Sequence, residues 1–318
     1  MEKITFSSKE KIRIDKYLSD KNPGISRRVF KNAIEEGNVL INNKKVSSSY
    51  KLKQDDEIIT LQEIKKEIIV KEILPNKDIT FEIIFQNKDF LVLNKKPGIS
   101  IHPSDKGEQD TLVNGLIHQF PGIKNVGEDS LRPGIVHRLD KDTSGIMIVA
   151  LNQKSFAYFK NLFQNRTIQK TYLAIIWGEI NQKSGTIESY IGKSNKNPSK
   201  QATSDSPHKL INPKSAKTSY KVLKIKNNMS LIKVKLETGR KHQIRIHFHS
   251  LGHPIVGDKK YSTKEGNKLN KEFENMMLHA FKIEFIDPDN KKYSFSAPIP
   301  SYFPIKTSHP LDQSIKLS

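Results

Sequence analysis

Asp140 stands in the densest chemical segment of the chain, RPGIVHRLDKDTSGIMIVA at 132–150. The triplet Arg138-Leu139-Asp140 falls in a polar loop immediately before an apolar run. Loops held by buried strands are where catalytic groups are commonly displayed. A carboxylate at this place can act as nucleophile, base, metal ligand or turn residue. Spacing alone favours the turn, because the adjoining Asp-Thr-Ser-Gly is strongly turn-prone.

A second segment, KLETGRKHQIRIHFHSLGHPIVGDKKY at 235–261, gathers His242, His247, His249 and His253. Four histidines suggest a metal. The nearby acids, however, are only Glu237 and Asp258, and Arg240, Lys241 and Arg245 crowd the same stretch. Such crowding by cations disfavours a dication, so no metal is expected. TGRK has too few glycines to cradle a phosphate, and no Walker or dinucleotide pattern occurs, so no nucleotide cofactor is expected. No nucleophile elbow of the Ser/His/Asp type is visible.

The chain that carries these segments has 318 residues, 54 Lys+Arg against 34 Asp+Glu, a formal net charge of +20 and no cysteine. Lack of cysteine excludes disulfides, thiolate zinc sites, iron–sulfur ligation and thiol catalysis, and it fits a reducing, cytoplasmic setting. The start, MEKITFSSKE, has no apolar signal core, and the longest apolar run, 146–151, is too short to span a bilayer. No membrane partner is expected. The positive charge is clustered. Residues 143–178 hold Lys154, Lys160, Arg166 and Lys170 and no acid; 206–236 hold eight lysines and no acid. A Lys-rich proteome would scatter acids through such stretches, whereas a surface that follows nucleic-acid phosphates would not.

The elements that must position these groups divide the chain. Residues 1–62 read as a small domain. Ser26 is a suitable N-cap, Ile25 and Phe30 form a staple, Val29, Phe30, Ala33 and Ile34 recur at helical spacing, and Gly37 ends the helix. Arg27, Arg28 and Lys31 share another face, suited to RNA. VLIN (39–42), an Asn42-Asn43 turn and EIITL (57–61) read as short strands. Residues 63–80 read as a linker and 81–300 as a larger domain. In it FEIIF and FLVLN form a hairpin, 111–120 a helix, IMIVAL a buried strand, and Phe156, Phe159 and Phe163 mark a helix. TYLAIIW and the alternating Ile232, Val234 and Leu236 read as strands, and DPDN (287–290) as a hairpin turn. Residues 194–219, rich in Lys, Ser, Asn and Pro, read as a mobile loop that orders only on RNA, and the tail 301–318 shows no clear element. The expected class is α+β with a mixed, largely antiparallel sheet, preceded by a small RNA-binding domain. Nothing demands more than a monomer.

Taken together, the segments resemble a family. RPGIVHRLDKDTSGIMIVA is similar to the signature of the RluA/RluD-type pseudouridine synthases, which isomerise uridine in structured RNA. The resemblance continues in LVLNKKPGISIHP, TLVNGL, QKTYLAIIWGEI, AKTSYKV, LETGRKHQIRIH, GHPIVGDKKY and LHAFKIEF, in order across 81–298. Residues 13–61 resemble the RNA-binding fold shared with ribosomal protein S four. The resemblance implies that Asp140 is the nucleophile rather than Asp142. Arg138 would help flip the uridine and fill its place. Tyr172 would stack on the flipped base and assist proton transfer. Arg245 would pair with the catalytic carboxylate, and Lys170 and Ile244 would line the pocket. Lys241 stands where many relatives have Thr, and Lys96 lies in KKPG where many have KPAG. Such an isomerisation needs no redox partner, phosphate energy or metal. A carboxylate nucleophile must be ionised, and a guanidinium beside it favours that form. Attack on the sugar, attack on the uracil ring and a glycal-like intermediate are all compatible with these residues. The motif set is nearest to members that modify large-subunit ribosomal RNA. The alternatives are a transfer-RNA synthase and a non-catalytic RNA-binding ribosome-assembly factor, which would bind without isomerising.

Overall fold

Ser144–Ala150 is seven consecutive buried residues, as expected of a strand covered on both faces. It lies third from one edge of a wide sheet in a computed structural model that describes residues 2–8, 10–22, 25, 27–61, 72–104, 107–195, 197–287, 289–305 and 316–317. The chain forms two compact units, 1–71 and 72–318.

The first unit runs β1 (Glu2–Thr5), α1 (Ile14–Lys21), α2 (Arg27–Glu36), β2 (Val39–Ile41), β3 (Lys44–Lys45) and β4 (Glu57–Thr60). Its sheet has the order β1-β4-β2-β3. Phe30, Ala33 and Ile34 of α2 pack with Ile14, Leu18, Val39, Ile41 and Ile58 in one core. Gly37, at φ +90°, lets the chain leave α2, and its N–H donates to Ile34 O. Asn42 and Asn43 both take positive φ and turn β2 into β3. The proposed cap Ser26 lies outside the described residues.

The second unit runs β5 (Glu82–Gln86), β6 (Phe90–Lys95), α3 (Leu112–Gln119), β7 (Ser144–Ala150), α4 (Gln153–Gln164), β8 (Gln169–Trp177) and β9 (Ser184–Ser194). It continues through β10 (Gln201–Ser204), β11 (Leu210–Lys226), β12 (Met229–Leu236), α5 (Gln243–Ser250), α6 (Lys264–Leu269), β13 (Leu278–Ile286), β14 (Lys292–Ser296) and β15 (Lys316–Leu317). Eleven strands form one sheet, β10-β9-β11-β12-β8-β13-β7-β6-β5, with β14 and β15 branching from β13. Among the described residues only β13 and β7 pair in parallel. One core joins β6, β7, β8, β12 and β13 to α3, α4 and α5 through Leu93, Ile148, Ile175, Ile232, Leu116, Phe159 and Phe248. No helix among the described residues is long and apolar enough to cross a membrane.

Three expectations are corrected or bounded. Residues 194–219 are not a mobile loop: β10 and most of β11 lie within them, and β11 pairs with β9 over ten registered positions. The segment has few apolar residues because much of this ladder is exposed on both faces, so periodicity gives no strand signal there. Of the expected linker 63–80, residues 63–71 lie outside the described residues. Residues 72–80 are bound to the second unit, where Asn114 Nδ2 donates to Leu74 O and Asn76 Nδ2 to Gln109 O. In the tail, Phe303 and Ile305 are buried and β15 pairs with β14, while 306–315 lie outside the described residues.

Candidate active site

Leu139 is buried, and that plug sets the geometry of the loop before β7: Arg138 on one side is exposed and Asp140 on the other is half-buried. Thr143 N–H donates to Asp140 O at 3.1 Å and closes the turn that the sequence suggests. Lys95, at the end of β6, fixes the loop from beneath. Its Nζ donates to Lys141 O at 2.8 Å, Lys96 O at 2.8 Å and Ile99 O at 3.0 Å. Burial pushes this lysine down to about 7, against the pull of Asp142 and Asp140. Asp142 itself is exposed.

β12 leads through residues 237–242 into α5, and this turn delivers the second half of the site. Gln243 holds it. Its Oε1 accepts from Thr238 Oγ1 at 2.8 Å and Arg240 N–H at 2.9 Å, and its Nε2 donates to Lys217 O and Thr218 Oγ1. His242 enters α5 in the left-handed region, φ 58° and ψ 23°. One turn on, Arg245 is buried and divides its guanidinium between two carboxylates. Nη1 donates to Asp140 Oδ2 at 3.1 Å, while Nε and Nη2 form a bidentate pair with Asp258 at 2.7 and 2.9 Å. Asp258 is fully buried, and its Oδ1 also accepts the Lys260 and Tyr261 N–H groups. Burial alone would lower the Arg245 pKa; Asp258 and then Asp140 outweigh it and hold the group charged. The Tyr261 ring lies 5.1 Å from the same guanidinium.

Tyr172, on β8 between Val234 of β12 and Ala280 of β13, completes the wall. Burial, and after it the charge of Asp140, raises its phenol and keeps it protonated. Asp140, Arg138, Tyr172, Lys170, Ile244 and Arg245 all line one cavity of about 470 Å³. Ile244 is buried, and Lys170 Nζ lies 5.7 Å from the Phe163 ring. Burial, with Arg166 adding to it, pushes Lys170 down. Lys241 is exposed at the same cavity.

The four histidines do not converge. His242 Nδ1 meets Tyr261 OH at 2.7 Å, His247 meets Thr218 and Ser189, and His253 Nδ1 meets Trp177 O. Among the described residues no group of three or more His, Asp or Glu side chains converges on one point. In the first unit, Arg27 and Arg13 both bind the buried Asp15, at 3.0 and 2.8 Å. Burial would raise Asp15, but these two guanidiniums lower it. Lys31 is exposed with Glu35 at 3.9 Å, and the side chain of Arg28 lies outside the described residues. The sequence reading assigned no role to His242, Asp258, Tyr261 or Lys95. Asp258 and Tyr261 belong to GHPIVGDKKY, where Asp258 stands out only as a nearby acid among cations, and their meeting with Arg245 is a tertiary fact without a spacing signal.

Residues 89–250 match the family model described as RNA pseudouridylate synthase, and residues 12–58 match the S4 domain. The first match contains Arg138, Asp140, Lys170, Tyr172, Lys241, Ile244 and Arg245, while Asp258 and Tyr261 lie beyond it. The chain is 37% identical to an uncharacterized RNA pseudouridine synthase of Chlorobaculum parvum, over 91% of both chains. It is 35% identical to the ribosomal large subunit pseudouridine synthase D of Borreliella burgdorferi, over 96% of this chain and 92% of that one. Among solved structures, human RNA pseudouridylate synthase domain containing 1 superposes with a TM-score of 0.59 at 30% identity, covering 70% of this chain and 85% of the other.

Proposed function

The chain belongs to the RNA pseudouridylate synthase family, and on that premise we propose that it isomerises uridines of large-subunit ribosomal RNA with Asp140 as nucleophile. One observation carries the assignment of the nucleophile. Asp140 Oδ2 is held 3.1 Å from a buried guanidinium at the wall of a cavity that Tyr172 also lines. The RNA class rests on the 35% identity to the Borreliella protein named for the large ribosomal subunit.

The chemistry follows from the placement. A uridine stacked in a helix is out of reach, so it must rotate out, and a cavity of about 470 Å³ is of the size that holds a small organic group. Tyr172 offers an aromatic face for the base and, as a phenol, a proton donor. Arg138, exposed at the rim, is placed to fill the vacated position in the RNA. Asp140 adds to the nucleoside and the bond from C1′ to N1 breaks. The uracil turns until C5 faces C1′, the new carbon–carbon bond forms, the bond to Asp140 breaks and returns the free carboxylate, C5 loses its proton and N1 ends protonated. No atom or electron is gained overall. While Asp140 is covalently engaged its charge is lost, and the bidentate Asp258 contact keeps Arg245 from swinging away.

Tritium release from uridine labelled at C5 tests the substrate assignment. Release from large-subunit ribosomal RNA, with none from transfer RNA at the same enzyme concentration, is the expected result. Release from transfer RNA alone would overturn the assignment. Tight binding to ribosomal RNA with no release from either would instead favour a binding protein.

A further inference from the structure

We propose that His242 is a positioning residue for the nucleophile, held by Tyr261 as the Nε2-protonated tautomer so that its N–H addresses the Asp140 oxygen that Arg245 leaves free. The inference rests on the reading of Asp140 as the attacking group.

The tautomer follows from hydrogen-bond accounting at a buried phenol. Tyr261 is buried, and its hydroxyl has two partners among the described residues. The Gln201 N–H of β10 donates to the oxygen at 3.1 Å, and His242 Nδ1 lies 2.7 Å away. Gln201 can only donate, so the phenol's own proton has Nδ1 as its acceptor. A proton on Nδ1 would leave that buried hydroxyl hydrogen without an acceptor, which is costly. Nδ1 is therefore the unprotonated nitrogen of a neutral ring, and Nε2 bears the hydrogen.

Nε2 lies 3.8 Å from Asp140 Oδ1. Arg245 occupies the other oxygen, Oδ2. The 3.8 Å separation is longer than a hydrogen bond, and a small rotation of the carboxylate closes it; catalytic contacts commonly tighten only when substrate is present. The two donors would then fix rotation about the Cβ–Cγ bond, and with it the edge that the carboxylate offers to the cavity. The backbone is consistent with a fixed part. His242 is held at φ 58°, where a non-glycine residue is strained, and such outliers cluster at functional sites. The groups facing the ring are Asp140 from the loop, Arg245 from α5, the adjacent Lys241, Lys260 and Tyr261. Burial, with the three cations, outweighs Asp140 and pushes the imidazole down to about 4, so it is neutral at pH 7. Because Gln201 belongs to β10, the Lys-rich arm of the sheet is the first link of this chain of contacts.

Nitrogen NMR of the histidine side chains in the full-length protein reads the tautomer directly and does not depend on turnover. At pH 7, His242 is expected with protonated Nε2 and unprotonated Nδ1. A protonated Nδ1, or a charged ring, would overturn the proposal. The catalytic arm compares His242→Gln with His242→Asn in single turnovers on saturating ribosomal RNA. The Gln amide reaches the Nε2 position and is expected to retain the rate within about threefold. Asn ends at the Nδ1 position and is expected to lose about 10- to 100-fold, the range for a hydrogen bond to a charged group, with RNA affinity unchanged. Equal rates in the two variants, or a loss confined to RNA affinity, would overturn it. Should the Asn variant fold poorly by thermal melting, Tyr261→Phe takes its place. That variant is expected to mix the two tautomers and slow the step; an unchanged tautomer and rate would count against the proposal. Turnover by Asp140→Asn would sink the nucleophile reading separately, leaving the tautomer result standing.

Discussion

The proposed nucleophile, Asp140, has to be charged and has to stay in place; Arg245 faces it, and Asp258 grips the far side of that guanidinium. Three of its nitrogens are engaged, one on Asp140 and two on Asp258. Asp258→Asn keeps the shape and removes the buried charge. The variant should lose about 3 kcal/mol of stability, seen as a lower denaturant midpoint at unchanged slope, because it leaves a buried guanidinium undercompensated. A change below about 0.5 kcal/mol would show that Asp140 alone suffices for Arg245. A second residue-scale effect belongs to His247 and His279, both fully buried and both pushed by burial down to about 4. Unfolded histidine titrates near 6.5, so the unfolded chain takes up these protons first as the pH falls. Their stabilising effect is whole above about pH 6.5 and is lost as the pH falls towards about 4, at about 1.4 kcal/mol per unit for each ring. Melting temperature against pH should show this slope, and His247→Asn should flatten it; identical slopes would contradict the assignment. The resemblance implied a pairing of Arg245 with Asp140, whereas the contacts of Asp258, His247 and His279 had no signal in the sequence. The sequence shows Asp258 only as an acid among cations, and proximity to Arg245 arises from folding.

At the scale of elements, the site depends on how β7 and β13 come together. Gly145 has φ +114°, and a Cβ there would stand 2.2 Å from Ala280 O. Only a residue without a side chain lets the parallel pair close, and the Asp140–Thr143 turn ends two residues earlier. Gly145→Ala should therefore destabilise by about 3 kcal/mol or more and disturb activity at temperatures where the variant is still folded. Wild-type melting and turnover would refute this account of the junction. Elements with clear periodicity were legible: the β5–β6 hairpin in FEIIF and FLVLN, β7 in IMIVAL, α4 in its three phenylalanines. The β9–β10–β11 arm was not, because lysines and serines on its exposed faces imitate loop composition. β15 was missed because a two-residue strand carries no period, and its existence follows from the β14 edge that it covers.

At the scale of the whole molecule, the charge of +20 and the S4 domain in residues 12–58 point to phosphate contacts in number. Affinity for structured ribosomal RNA should fall at least about tenfold between about 50 and 200 mM salt, by release of condensed counterions. A flat response in a binding titration would contradict a phosphate-following surface. Charge clustering made a nucleic-acid partner legible without any structure, whereas RNA as that partner and the role proposed for one aspartate among several came from the motif and not from composition. The two acids nearest the junction differ in place: Asp140 lines the cavity and Asp142 is exposed. Tritium release from C5-labelled large-subunit ribosomal RNA by wild type, Asp140→Asn and Asp142→Asn therefore tests the central claim most directly. The predicted result is release by wild type and Asp142→Asn, with Asp140→Asn below about a thousandth of the wild-type rate while RNA binding persists. Release by Asp140→Asn near the wild-type rate would contradict it.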